Sequence, residues 1–153
     1  MQYSALVGDQ AFEFSLPDTE GTVRRLAEFH QLGPVVLLFV PTASGWASRF
    51  QFWNFLRHYD GFVQLATEIV VIAGDGSPQL RRLQAALGLP FVFLADPPGR
   101  VAERYRTGAG AATLLLDRQG VIRFRRNESW FRRTPAHRLL PIAQQLTTPL
   151  AVQ

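Results

Sequence analysis

The chain has 153 residues, 47% of them hydrophobic and 18% charged, which suits one domain with a sizeable core and excludes a disordered segment. It contains no cysteine, so disulfides, thiolate metal sites and a cysteine nucleophile are excluded together. Every basic residue is arginine, and the charge is lopsided: residues 1–96 carry six arginines and nine acids, residues 97–153 ten arginines and three acids.

That basic C-terminal third is suited to an acidic partner, although a solvated face accounts for it as well. The longest apolar runs, Pro34 to Val40 and Ile69 to Ala73, have strand length and fall well short of the roughly 20 residues of a membrane span. Met1 to Val7 shows no basic stretch leading into an apolar one, so a cytoplasmic protein is expected. His30, His58 and His137 are scattered without ligand spacing, and neither metal nor cofactor is expected.

Elements of the two types alternate along the chain, the pattern of an α/β domain. Phe12, Phe14 and Leu16 alternate with polar residues, a turn follows over Pro17 to Gly21, and Val23 begins a return strand. Leu26 to His30 reads as a short helical turn. Val35 to Val40 is apolar on both faces, the mark of a strand in the middle of a sheet. Pro41 to Ala47 is then a loop, and a helix is expected from Ser48 to Tyr59.

Ile69 to Ala73 is the next central strand, followed by a helix with Ser77 as cap, Pro78 at its first position and Gly88 as its stop. Phe91 to Ala95 predicts a strand and Pro98 to Arg106 a short helix. Ala112 to Leu116 and Val121 to Phe124 form a hairpin around Asp117 to Gly120. Pro135 to Leu146 closes the chain as an amphipathic helix, bent at Pro141.

Four landmarks stand at consistent intervals: Gly8 to Asp18, Val35 to Pro41, Leu89 to Phe91 with Leu94 to Pro97, and Thr113 to Ile122. In this order they resemble the peroxiredoxins of the alkyl hydroperoxide reductase and thiol-specific antioxidant group, above all the bacterioferritin-comigratory or Q-type proteins. The resemblance covers about Val7 to Leu146 and implies one thioredoxin-like domain of peroxiredoxin type over residues 1–153, a central mixed β-sheet flanked by helices.

Such proteins carry Pro-x-x-x-Thr-x-x-Cys after the first central strand, with a distant arginine two residues before a threonine. The cysteine attacks the peroxide while threonine and arginine polarise it. Pro41 keeps its place here, but the threonine position is Gly45, the cysteine position Ser48 and the arginine position Ala111, two before Thr113. Trp53 stands where Q-type enzymes often place a resolving cysteine.

A serine hydroxyl stays protonated and has no oxidation ladder comparable to that of sulfur, so Ser48 cannot replace the nucleophile. Its expected role is to cap the following helix. Two explanations of the serine stand open: decay of a whole site, or replacement of the cysteine of a working thiol-dependent peroxidase. Loss of the threonine and the arginine as well, at the positions held by Gly45 and Ala111, favours decay, hence a pseudoenzyme acting as a binding or scaffold subunit.

Two features offer binding. The helix after the loop is rich in aromatics; Phe52, Phe55, Leu56 and Tyr59 trace one face, and Trp46, Phe50 and Trp53 another. An arc that wide buries more than one side, so the second stripe is a candidate protein interface, for a partner or for a homodimer. Arg123, Arg125 and Arg126, with Arg132, Arg133, Arg138 and the interleaved Trp130 and Phe131, form the second candidate. It suits an acidic partner, with nucleic acid the less favoured alternative.

Overall fold

A computed structural model describes residues 5–107, 111–129 and 132–147. Its spine is the apolar run Val35–Val40 (β3), all six residues of which are buried. Side chains alternate across a strand, so Val36, Leu38 and Val40 enter one core and Val35, Leu37 and Phe39 the other. A strand apolar on both faces must lie between two layers, and it does.

Glu68–Ala73 (β4) pairs with β3 in parallel, and Val92–Ala95 (β5) with β4 in parallel. Ala111–Leu116 (β6) and Ile122–Glu128 (β7) run antiparallel on the other side, giving the order β5-β4-β3-β6-β7. Ser15–Pro17 (β1) and Val23–Arg25 (β2) form a separate hairpin, followed by Leu26–His30 (α1). This is the expected mixed sheet.

Trp46–Arg57 (α2), Tyr59–Gln64 (α3) and Ser77–Leu87 (α4) contribute to one core, with Phe52, Phe55, Phe62 and Leu80 buried. Arg100–Arg104 (α5) and the N-terminal segment cover the other face, where Tyr105 is fully buried and its hydroxyl donates to the Phe12 carbonyl at 2.5 Å. Burial pushes the Tyr105 phenol far above its ordinary range.

Several boundaries differ from expectation. α2 begins at Trp46 and ends at Arg57, two residues early at each end. α4 is capped by Gly76, which leaves Ser77 as its first residue and Pro78 as its second; Gly88 does close it, in the left-handed region at φ 62°. On its face Leu80 is buried, whereas Leu87 is 37% exposed. β7 continues to Glu128 because its pairing with β6 persists to Ala111. The closing helix is two pieces, a 3-10 turn Ala136–Arg138 and Leu140–Thr147 (α6). The break precedes Pro141, which becomes the second residue of α6, where its missing N–H costs little.

Candidate functional site at the loop before α2

The carboxyl end of β3 runs through Pro41 into a tight loop. Asp75, just past β4, holds it: the Ala43 N–H donates to Oδ1 at 2.8 Å and the Thr42 hydroxyl to Oδ2 at 3.1 Å. Gly74 lets β4 come this close, since a Cβ there would stand 2.6 Å from the Pro41 carbonyl oxygen. Gly45, expected from the resemblance to hold the family threonine position, is the N-cap of α2 in extended geometry without a side-chain cap.

Ser48 is therefore not the cap expected of it. It is the third residue of α2, 1% exposed, and its hydroxyl donates to the Thr42 carbonyl at 2.8 Å rather than accepting an N–H. The physical reason is that Gly45 already adopts the extended N-cap conformation, which places position 48 inside the first turn.

A guanidinium reaches this hydroxyl from elsewhere. Arg133 Nη1 donates to Ser48 Oγ and to Gln51 Oε1, both at 3.3 Å. Burial lowers the Arg133 pKa, partly countered by the charge of Glu128. Gln51 passes its own amide hydrogen to the Thr113 hydroxyl at 3.3 Å, and Thr113 donates to Glu128 Oε1 at 2.9 Å. The other Glu128 oxygen accepts short bonds from the N–H and hydroxyl of Thr134.

Every member thus has a partner, as buried polar groups require. Among the described residues the Ser48 hydroxyl donates to a carbonyl oxygen and accepts from a guanidinium, neither of which can take its proton. The arrangement orients a hydroxyl and a cation.

Ala111, expected from the resemblance to hold the family arginine position, is a buried methyl opposite Glu128. Arg133, Gln51, Thr113 and Glu128 were not among the candidates for this centre. Gln51 carried a signal, lying three residues from Ser48 and so on its helix face, and Thr113 another, standing in the segment that resembles the family's arginine-x-threonine.

The aromatic helix divides as its spacing predicts. Phe52 and Phe55 are buried, whereas Trp46, Phe50 and Trp53 are 56%, 65% and 55% exposed. The Trp46 and Phe50 rings meet edge to face at 6.0 Å, and Arg57 lies over Trp53 at 5.0 Å. Trp46, Arg49, Phe50 and Trp53 line a shallow groove of about 370 Å³. Trp46 and Phe50 also wall a neighbouring hollow of about 330 Å³ that contains Gln51, Asn54 and Arg133.

The arginine run is less of a unit. Arg123 pairs with Asp117 at 2.8 Å. Arg125 donates to the carbonyls of Ala5, Tyr105 and Arg106 and to Asn127, so its guanidinium clamps the chain's own segments. Arg126 is half-buried on the opposite face of β7, and Trp130 and Phe131 lie outside the described residues. A larger cleft of about 950 Å³ opens at the carboxyl ends of β3, β4 and β5. Its one buried carboxylate, Asp96, is taken by the N–H groups of Val101 and Ala102. Among the described residues no helix is long and apolar enough to cross a membrane.

A five-stranded mixed sheet whose first central strand delivers Pro41 to a loop and a helix start defines a thioredoxin-like domain of peroxiredoxin type. Residues 7–125 match the AhpC/TSA family, and the chain belongs to it. The chloroplastic peroxiredoxin Q of Oryza sativa subsp. japonica is 28% identical over 124 residues, 76% of this chain and 57% of that protein. The chain thus spans little more than half the length of that relative. A putative peroxiredoxin of Mycobacterium tuberculosis is 31% identical over 118 residues, 76% of this chain and 73% of that one. Among solved structures, peroxidoxin BcpB of Mycobacterium tuberculosis superposes with a TM-score of 0.84 at 22% identity, over 95% of this chain and 100% of that one. The reduced 2-Cys peroxiredoxin of Plasmodium vivax gives 0.79 at 16% identity, over 90% and 80%. Ser48 stands at the peroxidatic cysteine position of this family.

Proposed function

We propose that this chain is a peroxidase-inactive member of the AhpC/TSA family that works as a binding subunit in the cytoplasm, with the outer face of α2 as its docking surface. One observation carries the reading. The helix that would present the catalytic sulfur presents instead a buried hydroxyl that both donates and accepts a hydrogen bond, while three large aromatic side chains on that same helix stand more than half exposed. Exposed tryptophan and phenylalanine in one contiguous stripe are typical anchors of protein interfaces.

Two measurements test it. The purified chain, supplied with thioredoxin or dithiothreitol, should consume neither hydrogen peroxide nor tert-butyl hydroperoxide above background; turnover overturns the inactive reading. A photo-reactive residue at position 50 should cross-link one stoichiometric partner protein in cells, and Trp53→Ala should abolish the product; unchanged cross-linking overturns the surface. The compartment belongs to the proposal too, since the plant relatives are described as chloroplastic, and cell fractionation decides it.

A further inference from the structure

Resting on the reading of α2 as a docking face, we propose the chemistry of its occupant: an acidic, leucine-type amphipathic protein segment. Its apolar side chains lie in the Trp46–Phe50–Trp53 groove, and one of its carboxylates enters the adjoining hollow to meet Arg133.

The argument begins with charge. α2 carries Arg49 and Arg57 and no acidic residue at all. Arg49 lines the apolar groove itself, and Arg57 lies over the Trp53 ring. In the adjoining hollow the cation is Arg133, whose burial already depresses its pKa. Its bonds from Nη1 go to neutral oxygens, Ser48 Oγ and Gln51 Oε1, and among the described residues no carboxylate lies within ion-pair distance of it. Glu128, the acid that influences it, is occupied by Thr113 and Thr134. A partly desolvated guanidinium without an ion pair gains from a carboxylate that arrives with its own apolar cover.

The two cavities adjoin, with Trp46 and Phe50 in the lining of both. An occupant is thus read by an apolar trough and by one charged point beside it, which is how an amphipathic helix is recognised in a groove. A second copy of this chain fits poorly: a twofold contact over this face would set Arg49 and Arg57 of one copy against the same residues of the other. Single-stranded nucleic acid fits less well than protein, since the Trp46 and Phe50 rings stand at 89° and offer no stack of parallel platforms.

The test uses the full chain and two fluorescein-labelled 16-residue helical peptides with the same leucine stripe, one flanked by glutamate and the other by glutamine, read by fluorescence anisotropy. The glutamate peptide should bind at least ten-fold more tightly, with the preference shrinking as salt is raised. Arg133→Gln should remove the preference, whereas Trp53→Ala should weaken both peptides. Equal binding of the two peptides by the unsubstituted chain overturns the carboxylate assignment and leaves the docking face standing. Binding of neither overturns both. Tighter binding of a 16-nucleotide single strand, or a concentration-dependent dimer that Trp53→Ala abolishes, overturns the acidic protein segment as occupant.

Discussion

Arg133 Nη1 stands 3.3 Å from the Ser48 hydroxyl across 85 residues of sequence. The contact joins the first turn of α2 to the segment after β7, and it gives position 48 a cation although position 111, where the resemblance implies the family arginine, holds alanine. A sulfur placed at 48 would meet that guanidinium but would lack the threonine and arginine that the family sets around its peroxide. Ser48→Cys is therefore expected to leave hydrogen peroxide consumption at background in a thioredoxin-coupled assay. Turnover at rates usual for the family would show that the rest of the site is competent.

The two stripes of α2 separate stability from binding. Phe52→Ala and Phe55→Ala each remove a buried ring and should cost about 3–5 kcal/mol in urea unfolding. Phe50→Ala and Trp53→Ala remove exposed rings and should change stability by less than about 0.5 kcal/mol. A large loss at Trp53 would mean that its ring supports the fold.

Arg125 is expected to behave as a structural residue. Its fork reaches three backbone carbonyls from two separate stretches of chain, a geometry that a lysine ammonium cannot reproduce. Arg125→Lys should therefore destabilise the fold by about 1–3 kcal/mol, the cost of leaving such groups without partners. Denaturant midpoints of Arg125→Lys and Arg123→Lys make the comparison, with the exposed Arg123 pair expected to contribute less than about 1 kcal/mol.

Glu68, at the start of β4, has its carboxyl held above the usual carboxylate range, chiefly by desolvation, with a bond from the Ile69 N–H opposing. A folded-state pKa above the unfolded one favours folding while the group is protonated, and that contribution is lost as pH rises through the folded value. Glu68→Gln should accordingly be more stable than the parent chain at pH 7. The difference should vanish below the ordinary carboxylate pKa of about 4. Thermal melts across that window decide it, and a constant difference at every pH would refute the assignment.

The sheet was legible because its signals are local: six apolar residues in a row at Val35 to Val40 need cover on both faces, whatever follows them. The two faces of α2 were legible for the same reason, as the helical period sorts Phe52 and Phe55 from Phe50 and Trp53 without reference to other elements. The start of α2 was misread because serine is a better cap than glycine by composition, while the cap is decided by backbone angles that sequence does not display. The centre around Ser48 was least legible. Arg133, Glu128 and Thr113 meet there only once β6, β7 and the following segment are folded; the resemblance marks Thr113 and the arginine run includes Arg133, but nothing in their spacing along the chain joins either of them, or Glu128, to Ser48.

The hydroxyl buried in the first turn of α2 also fixes how the chain stands toward oxidants. Where a cysteine would climb from sulfenic to sulfonic acid as peroxide accumulates, this helix offers no sulfur to the reaction. A surface built on it has no thiol whose form changes as peroxide accumulates. Any partner it holds is held on the same terms before, during and after the burst that would silence a thiol-bearing homologue.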